Sequence, residues 1–171
     1  MAPTSGHPAE APASASPSGE ADLGLVDALA QLSFAVQGAL TRVAAAHDAS
    51  IIQTRLLGIL RDRHPTITEL AAFLQLDKSS VTGLVDRAEE RALVRRVASA
   101  HDRRSVQVTI TPAGQELFDR ARADFEAALA ALVAGLTPAQ RCQLSAAASL
   151  VAVADARLRG IDILNWSPAA G

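Results

Sequence analysis

Residues 67–96 read ITELAAFLQLDKSSVTGLVDRAEERALVRR, and the way this stretch folds decides the rest of the chain. In its first part Leu70, Ala71 and Leu74 lie on one helical face, and in its second Val81, Leu84, Val85 and Ala88 recur at the three- and four-residue spacing of another. Only Gln75, Leu76 and Asp77 separate the two, and Asp77 is a helix N-cap residue type, so the pair reads as a helix-turn-helix. One residue stands out. Gly83 sits mid-helix, where it costs roughly 1 kcal/mol against alanine. At about 100° per residue, Ser79, Gly83, Asp86 and Glu90 fall on the side opposite the apolar stripe, with Thr82 and Arg87 on its shoulders.

Working outward, the period switches after Ala92. Residues 93–97 read as a strand and 98–105 as a polar loop, and Val106, Val108 and Ile110 alternate with Gln107 and Thr109 as a returning strand, which makes a β-hairpin with a charged tip. Thr111-Pro112 then signals a helix start, an N-cap followed by proline in the first turn, and the stripe Leu117, Ala121, Phe125, Ala128, Leu132 carries that helix towards Gly135. Thr137-Pro138 repeats the signal for a final helix through Leu144, Ala148, Val151 and Leu158, ending near Gly160. Upstream, Leu25, Leu29, Leu32, Val36, Leu40 and Val43 predict one long helix ending around His47. Ser50 or Asp48 caps the next, which carries Ile52, Leu56, Leu57 and Leu60 and stops near His64-Pro65, and residues 66–68 suit a very short strand. Residues 1–20 hold four of the eight prolines amid Ala, Ser and Gly, and read as a disordered tail. The expected fold class is mainly α with one small β-hairpin.

Composition agrees. About half of the 171 residues are apolar, mostly Ala, Leu and Val, with no Tyr, which favours helices over sheets. The longest uncharged runs, 28–41 and 127–140, are too short for a membrane span, no secretory signal opens the chain, and the single Cys142 excludes an intramolecular disulfide, so no membrane partner and a cytoplasmic setting are expected. The net charge of −2 argues against nucleic acid until it is divided. Residues 55–104 hold ten Lys or Arg against seven Asp or Glu, and the remainder six against eleven, so a basic middle lies between acidic flanks.

The residues quoted above, joined to HDRRSVQVTITPAG at 101–114, resemble the MarR family of bacterial transcription regulators. Asp102-Arg103-Arg104 matches the wing signature, and Thr111 with Gly114 the threonine and glycine that open the following helix. Ala92 stands where a glycine is common after the recognition helix, and Ala88 where a leucine is usual, which implies a shallower core contact. The resemblance implies a winged helix-turn-helix over 48–111, flanked by a helical dimerisation region at 21–47 and 112–160, with tails at 1–20 and 161–171. It also implies a homodimer on double-stranded DNA that represses a pseudo-palindromic operator until a small, anionic aromatic effector releases it.

Under that reading Lys78 and the helix N-terminus favour a phosphate, and the hydroxyls of Ser79, Ser80 and Thr82 meet base edges or phosphates. Gly83 lets the backbone approach the bases, Arg87 contributes from the shoulder, and Arg103 and Arg104 enter the minor groove, oriented by Asp102. The blander reading makes Ser79 and Ser80 first-turn residues only. His47 and Arg55 fall near the junction where relatives hold effectors and could meet a carboxylate or phenol; otherwise His47 is a helix-end residue and Arg55 a surface ion-pair partner. Cys142 is expected to be small and at least half-buried. The four histidines, at 7, 47, 64 and 101, are too scattered for a metal set, and no phosphate loop, HExxH or nucleophile-base pairing appears, so neither a cofactor nor an enzyme is expected. The rival from another class is a dimeric winged-helix module for protein interaction, without sequence-specific DNA binding.

Overall fold

A computed structural model describes residues 22–98, 106–158 and 160. Among them the chain forms six helices and one hairpin: α1 (Gly24–Ala46), α2 (Ile51–Leu60), α3 (Ile67–Leu74), α4 (Lys78–Glu90), β1 (Val94–Ala98), β2 (Val106–Ile110), α5 (Pro112–Leu132) and α6 (Pro138–Leu158). The mainly helical fold with its hairpin matches the expectation. The expectations of a disordered tail over 1–20, of a tail over 161–171 and of a wing tip carrying Asp102, Arg103 and Arg104 fall outside the described residues.

Local chemistry explains where the helices start. Ser50, not Asp48, caps α2: its hydroxyl accepts from Gln53 N at 3.2 Å while Gln53 Oε1 accepts from Ser50 N at 3.0 Å, a reciprocal box. Thr66 and Glu69 close the same box on α3, and Thr137 and Gln140 on α6. Thr111 caps α5, accepting from Gly114 N at 3.1 Å, with Pro112 in the first turn as expected. The short strand expected over 66–68 reduces to a single residue. Thr66 bridges Gln107, and Pro65 O accepts from Val108 N at 2.8 Å; Ile67 is already helical, because Thr66 is committed as the cap of α3.

Helices α1, α3 and α4 end alike, and none of them ends on glycine. Asp48, Gln75 and Ala92 take φ of 50°, 58° and 55°, the left-handed region, and the next amide reaches back five residues in each case: Ala49 to Ala44, Leu76 to Ala71, Leu93 to Ala88. The alanine at 92 therefore leaves the helix end unchanged in form, and the backbone carries the strain of a Cβ there.

One core holds the winged helix-turn-helix together. Leu56, Leu57 and Leu60 of α2, Leu70 and Leu74 of α3, Val81, Leu84, Val85 and Ala88 of α4, Leu93, Val94 and Val108 beside the hairpin, and Leu117 of α5 bury together. Ala88 is fully part of it despite its size. The hairpin pairs antiparallel, with Val94 opposite Ile110 and Arg96 opposite Val108. At its base α5 comes so close that a Cβ on Gly114 would stand 2.1 Å from the Leu93 carbonyl oxygen. α1 packs on α5 and α2 through Ala39, Val43 and Ala44. Its first half does not pack: Leu25 and Val26 are 76% and 79% exposed, and of α6 only Ala156 is buried. Cys142 is exposed in this chain, against the expectation of burial, because α6 finds so little of its own chain to pack on.

Candidate nucleic-acid interface

α4 turns its apolar stripe into the core and its polar side out. Lys78, Ser79, Ser80, Thr82 and Arg87 are exposed, and Gly83 lies between them, half-buried. Asp77 organises the first turn. Its carboxylate accepts from Ser80 N at 2.8 Å and from the Ser80 hydroxyl at 2.7 Å, and the Ser79 hydroxyl also donates to it. Those bonds, the Ser79 hydroxyl first and then the two from Ser80, hold the Asp77 carboxyl far below the usual carboxylate range. Thr82 Oγ1 donates to Lys78 O at 2.8 Å. All three hydroxyl protons are thus used inside the helix, and what these side chains turn outward is oxygen lone pairs. The expected free choice between donating and accepting narrows to accepting, with Asp77 as the cause at Ser79 and Ser80 and the Lys78 carbonyl at Thr82.

Arg87 folds back along the helix, its guanidinium so placed that a Cβ on Gly83 would lie 3.4 Å from Nη1. That is ordinary contact with the movable end of a side chain, so the exposed surface over Gly83 is the bed of Arg87.

The other arginines of this region divide by partner. Arg96 Nη2 meets Asp86 Oδ1 at 2.6 Å, while its Nη1 and backbone N both bond the Glu89 carboxylate, so it ties the start of the hairpin onto α4. Arg95 Nε donates to Thr109 Oγ1 at 3.3 Å. Arg91 Nη1 donates to the backbone carbonyl of Asp48 at 2.7 Å, a contact across 43 residues that no local pattern announces. The basic surface around α2 is layered on aromatic rings, with Arg61 5.7 Å from the Phe118 centroid and Arg63 4.7 Å from that of Phe73.

At the candidate effector junction, His47 Nε2 and Asp124 Oδ2 stand 2.8 Å apart, with the His47 side chain only 14% exposed. Arg55 is exposed on α2 and has no ion pair with any described residue. His47 is therefore a bridge between α1 and α5 in addition to ending α1. Among the described residues no three His, Cys, Asp or Glu side chains converge to hold a metal ion, and no helix is long and apolar enough to cross a membrane.

These elements define a winged helix-turn-helix protein with a long helix before it and two after. Residues 47–105 match the model of the MarR family. Among solved structures, CouR from Rhodococcus jostii RHA1 bound to p-coumaroyl-CoA is 27% identical at a TM-score of 0.62, over 73% of this chain and 89% of that one. A MarR family transcriptional regulator from Rhodococcus sp. RHA1 is 26% identical, with a TM-score of 0.64 over 77% of this chain and 96% of that one. Wild-type MarR from E. coli in its apo form shares the fold at a TM-score of 0.67 and 20% identity, over 77% and 98%. No curated protein sequence matches the chain. In its matched winged-helix segment and in its fold, the chain is similar to MarR family transcriptional regulators.

Proposed function

We propose that the protein is a homodimeric repressor that reads a pseudo-palindromic operator and is released by a small anionic aromatic ligand. The observation that carries this reading is α4 itself: a helix anchored by four core residues whose outward side holds Lys78, Ser79, Ser80, Thr82 and Arg87 around Gly83, with charged Asp86 and Glu89 already drawn off by Arg96. Such a side suits the major groove, with Lys78 at a phosphate and Arg103 and Arg104 of the wing reaching the minor groove. The uncovered apolar faces of α1 and α6 suit a second copy, whose two-fold axis would set two α4 helices against successive major grooves, half-sites about 10 base pairs apart. For the effector, CouR was solved bound to p-coumaroyl-CoA, which supports a small-molecule ligand, and an anionic group arriving near α1 and α5 would compete with Asp124 for His47, with Arg55 close by in sequence on α2.

Selection of bound fragments from the source genome tests the reading directly. A shared pseudo-palindrome is expected, with affinity falling steeply as salt rises. If Arg103→Ala with Arg104→Ala leaves that affinity unaltered, the wing mechanism is wrong, and if no fragment is enriched, the interaction-module reading replaces it. Effector affinity unchanged in His47→Ala with Arg55→Ala would remove the ligand assignment.

A further inference from the structure

The long-range hydrogen bonds of this chain close a ring. Arg91, at the C-terminal end of α4, donates from Nη1 to the Asp48 carbonyl at the α1–α2 corner, at 2.7 Å. The next residue, Ala92, has its carbonyl bonded by Thr111 Oγ1 at 2.6 Å, and Leu93 O accepts from Thr111 N at 3.0 Å, so the end of α4 is also fastened to the first residue of α5's cap. Thirteen residues on, about 20 Å along α5 at its helical rise, Asp124 meets His47, the residue before Asp48. Corner, recognition-helix end, α5 cap and α5 body thus form one closed circuit. Both residues flanking the Arg91 contact in the backbone sense, Asp48 and Ala92, hold left-handed φ without being glycine, strain that persists only where the surroundings over-determine the conformation.

We infer that Arg91 is a positioning residue: through the Asp48 carbonyl it fixes the angle of α4 against α1 and α5, and so the separation of the two recognition helices in the dimer. It acts through the corner and need not touch DNA. The inference rests on the operator-binding reading for its consequence, since separation matters only to a protein that reads two half-sites. Two further side-chain links, Thr111 to the Ala92 carbonyl and His47 to Asp124, close the rest of the ring, and Arg91 is an exposed side chain outside the buried core, so its loss leaves that core intact.

The spacing of the operator is the readout. One inserted base pair turns a half-site by about 35° and moves it about 3.4 Å along the axis, so a rigid dimer has a sharp preference. Wild type is expected to lose about tenfold or more in affinity per base pair of misspacing, Arg91→Ala about threefold or less, and Arg91→Lys, which can still donate to the carbonyl, to recover much of the preference. An unchanged spacing profile in Arg91→Ala overturns the inference, and so does a parallel loss at every spacing, which would make Arg91 a phosphate contact. A second measurement needs no DNA. In a Cys142→Ser background, spin labels at Arg42→Cys on α1 and Thr82→Cys on α4, diluted with unlabelled chains, should give a narrow distance distribution that Arg91→Ala broadens. No broadening overturns the coupling; broadening without any operator binding upholds it and discards the operator reading instead.

Discussion

Gly114 and Ala92 face the same few backbone atoms and carry opposite demands. At Gly114 a Cβ would stand 2.1 Å from the Leu93 carbonyl, which is backbone and cannot swing away. Gly114→Ala is therefore expected to destabilise by about 3 kcal/mol or more, beyond ordinary overpacking, read as a shift in the denaturant midpoint. Ala92 has the reverse problem, a Cβ on a left-handed backbone. Relief of roughly 1 kcal/mol of strain exceeds the entropy that glycine adds to the unfolded chain, so Ala92→Gly should stabilise by about 0.5 kcal/mol. If Ala92→Gly destabilises instead, the Cβ has a packing role that its exposure conceals.

At the scale of the element, α4 is held at its first turn by the Asp77 carboxylate and along its inner face by Val81, Leu84, Val85 and Ala88, while its outer face at Gly83 meets only the movable end of Arg87. The Asp77 carboxyl is depressed by the hydroxyl and amide bonds it accepts, so its contribution is fully present above the unfolded carboxylate value of about 3.9 and is lost as pH falls from there towards the lower folded value. Asp77→Asn should thus leave the neutral-pH fold in place and flatten the acid limb of the stability curve; an acid limb identical to wild type would mean the carboxylate bonds do not persist in solution. Gly83 makes the opposite kind of test. Because only the movable end of Arg87 stands near its Cβ position, Gly83→Ala is expected to stabilise the helix by up to about 1 kcal/mol while weakening operator binding. Equal or tighter binding would show that the groove has room for the methyl and that the glycine is merely tolerated.

For the whole molecule the unpacked faces matter most. Leu25, Val26 and Leu29 on α1 and Leu150, Val151 and Leu158 on α6 are half to nine-tenths exposed, a surface of the kind that marks an interface. Leu25→Glu with Leu29→Glu should shift the sedimenting species from dimer to monomer while the circular dichroism stays helical, since neither side chain supports its own chain's core. A wild-type monomer at micromolar concentration would defeat the proposed two-half-site geometry at once.

Period, caps and punctuation were enough to read the element order, the helix-turn-helix, the hairpin and the outward side of α4, because each is set by residues two to four apart: Val106 with Val108, Thr111 with Gly114, Ser50 with Gln53, Val81 with Leu84 and Val85. The candidate residues on α4 were legible for the same reason. What they do with their protons was not, since Asp77's hold on Ser79 and Ser80 depends on rotamers that spacing leaves open. Left-handed Ala92, the Gly114 approach to Leu93, the Arg96 clamp, the bridge from His47 to Asp124 and the Arg91 bond to Asp48 were decided only by the tertiary structure. They join segments seven to 77 residues apart, or answer to a backbone that packing has already placed, and local sequence carries no record of which distant carbonyl or carboxylate will arrive.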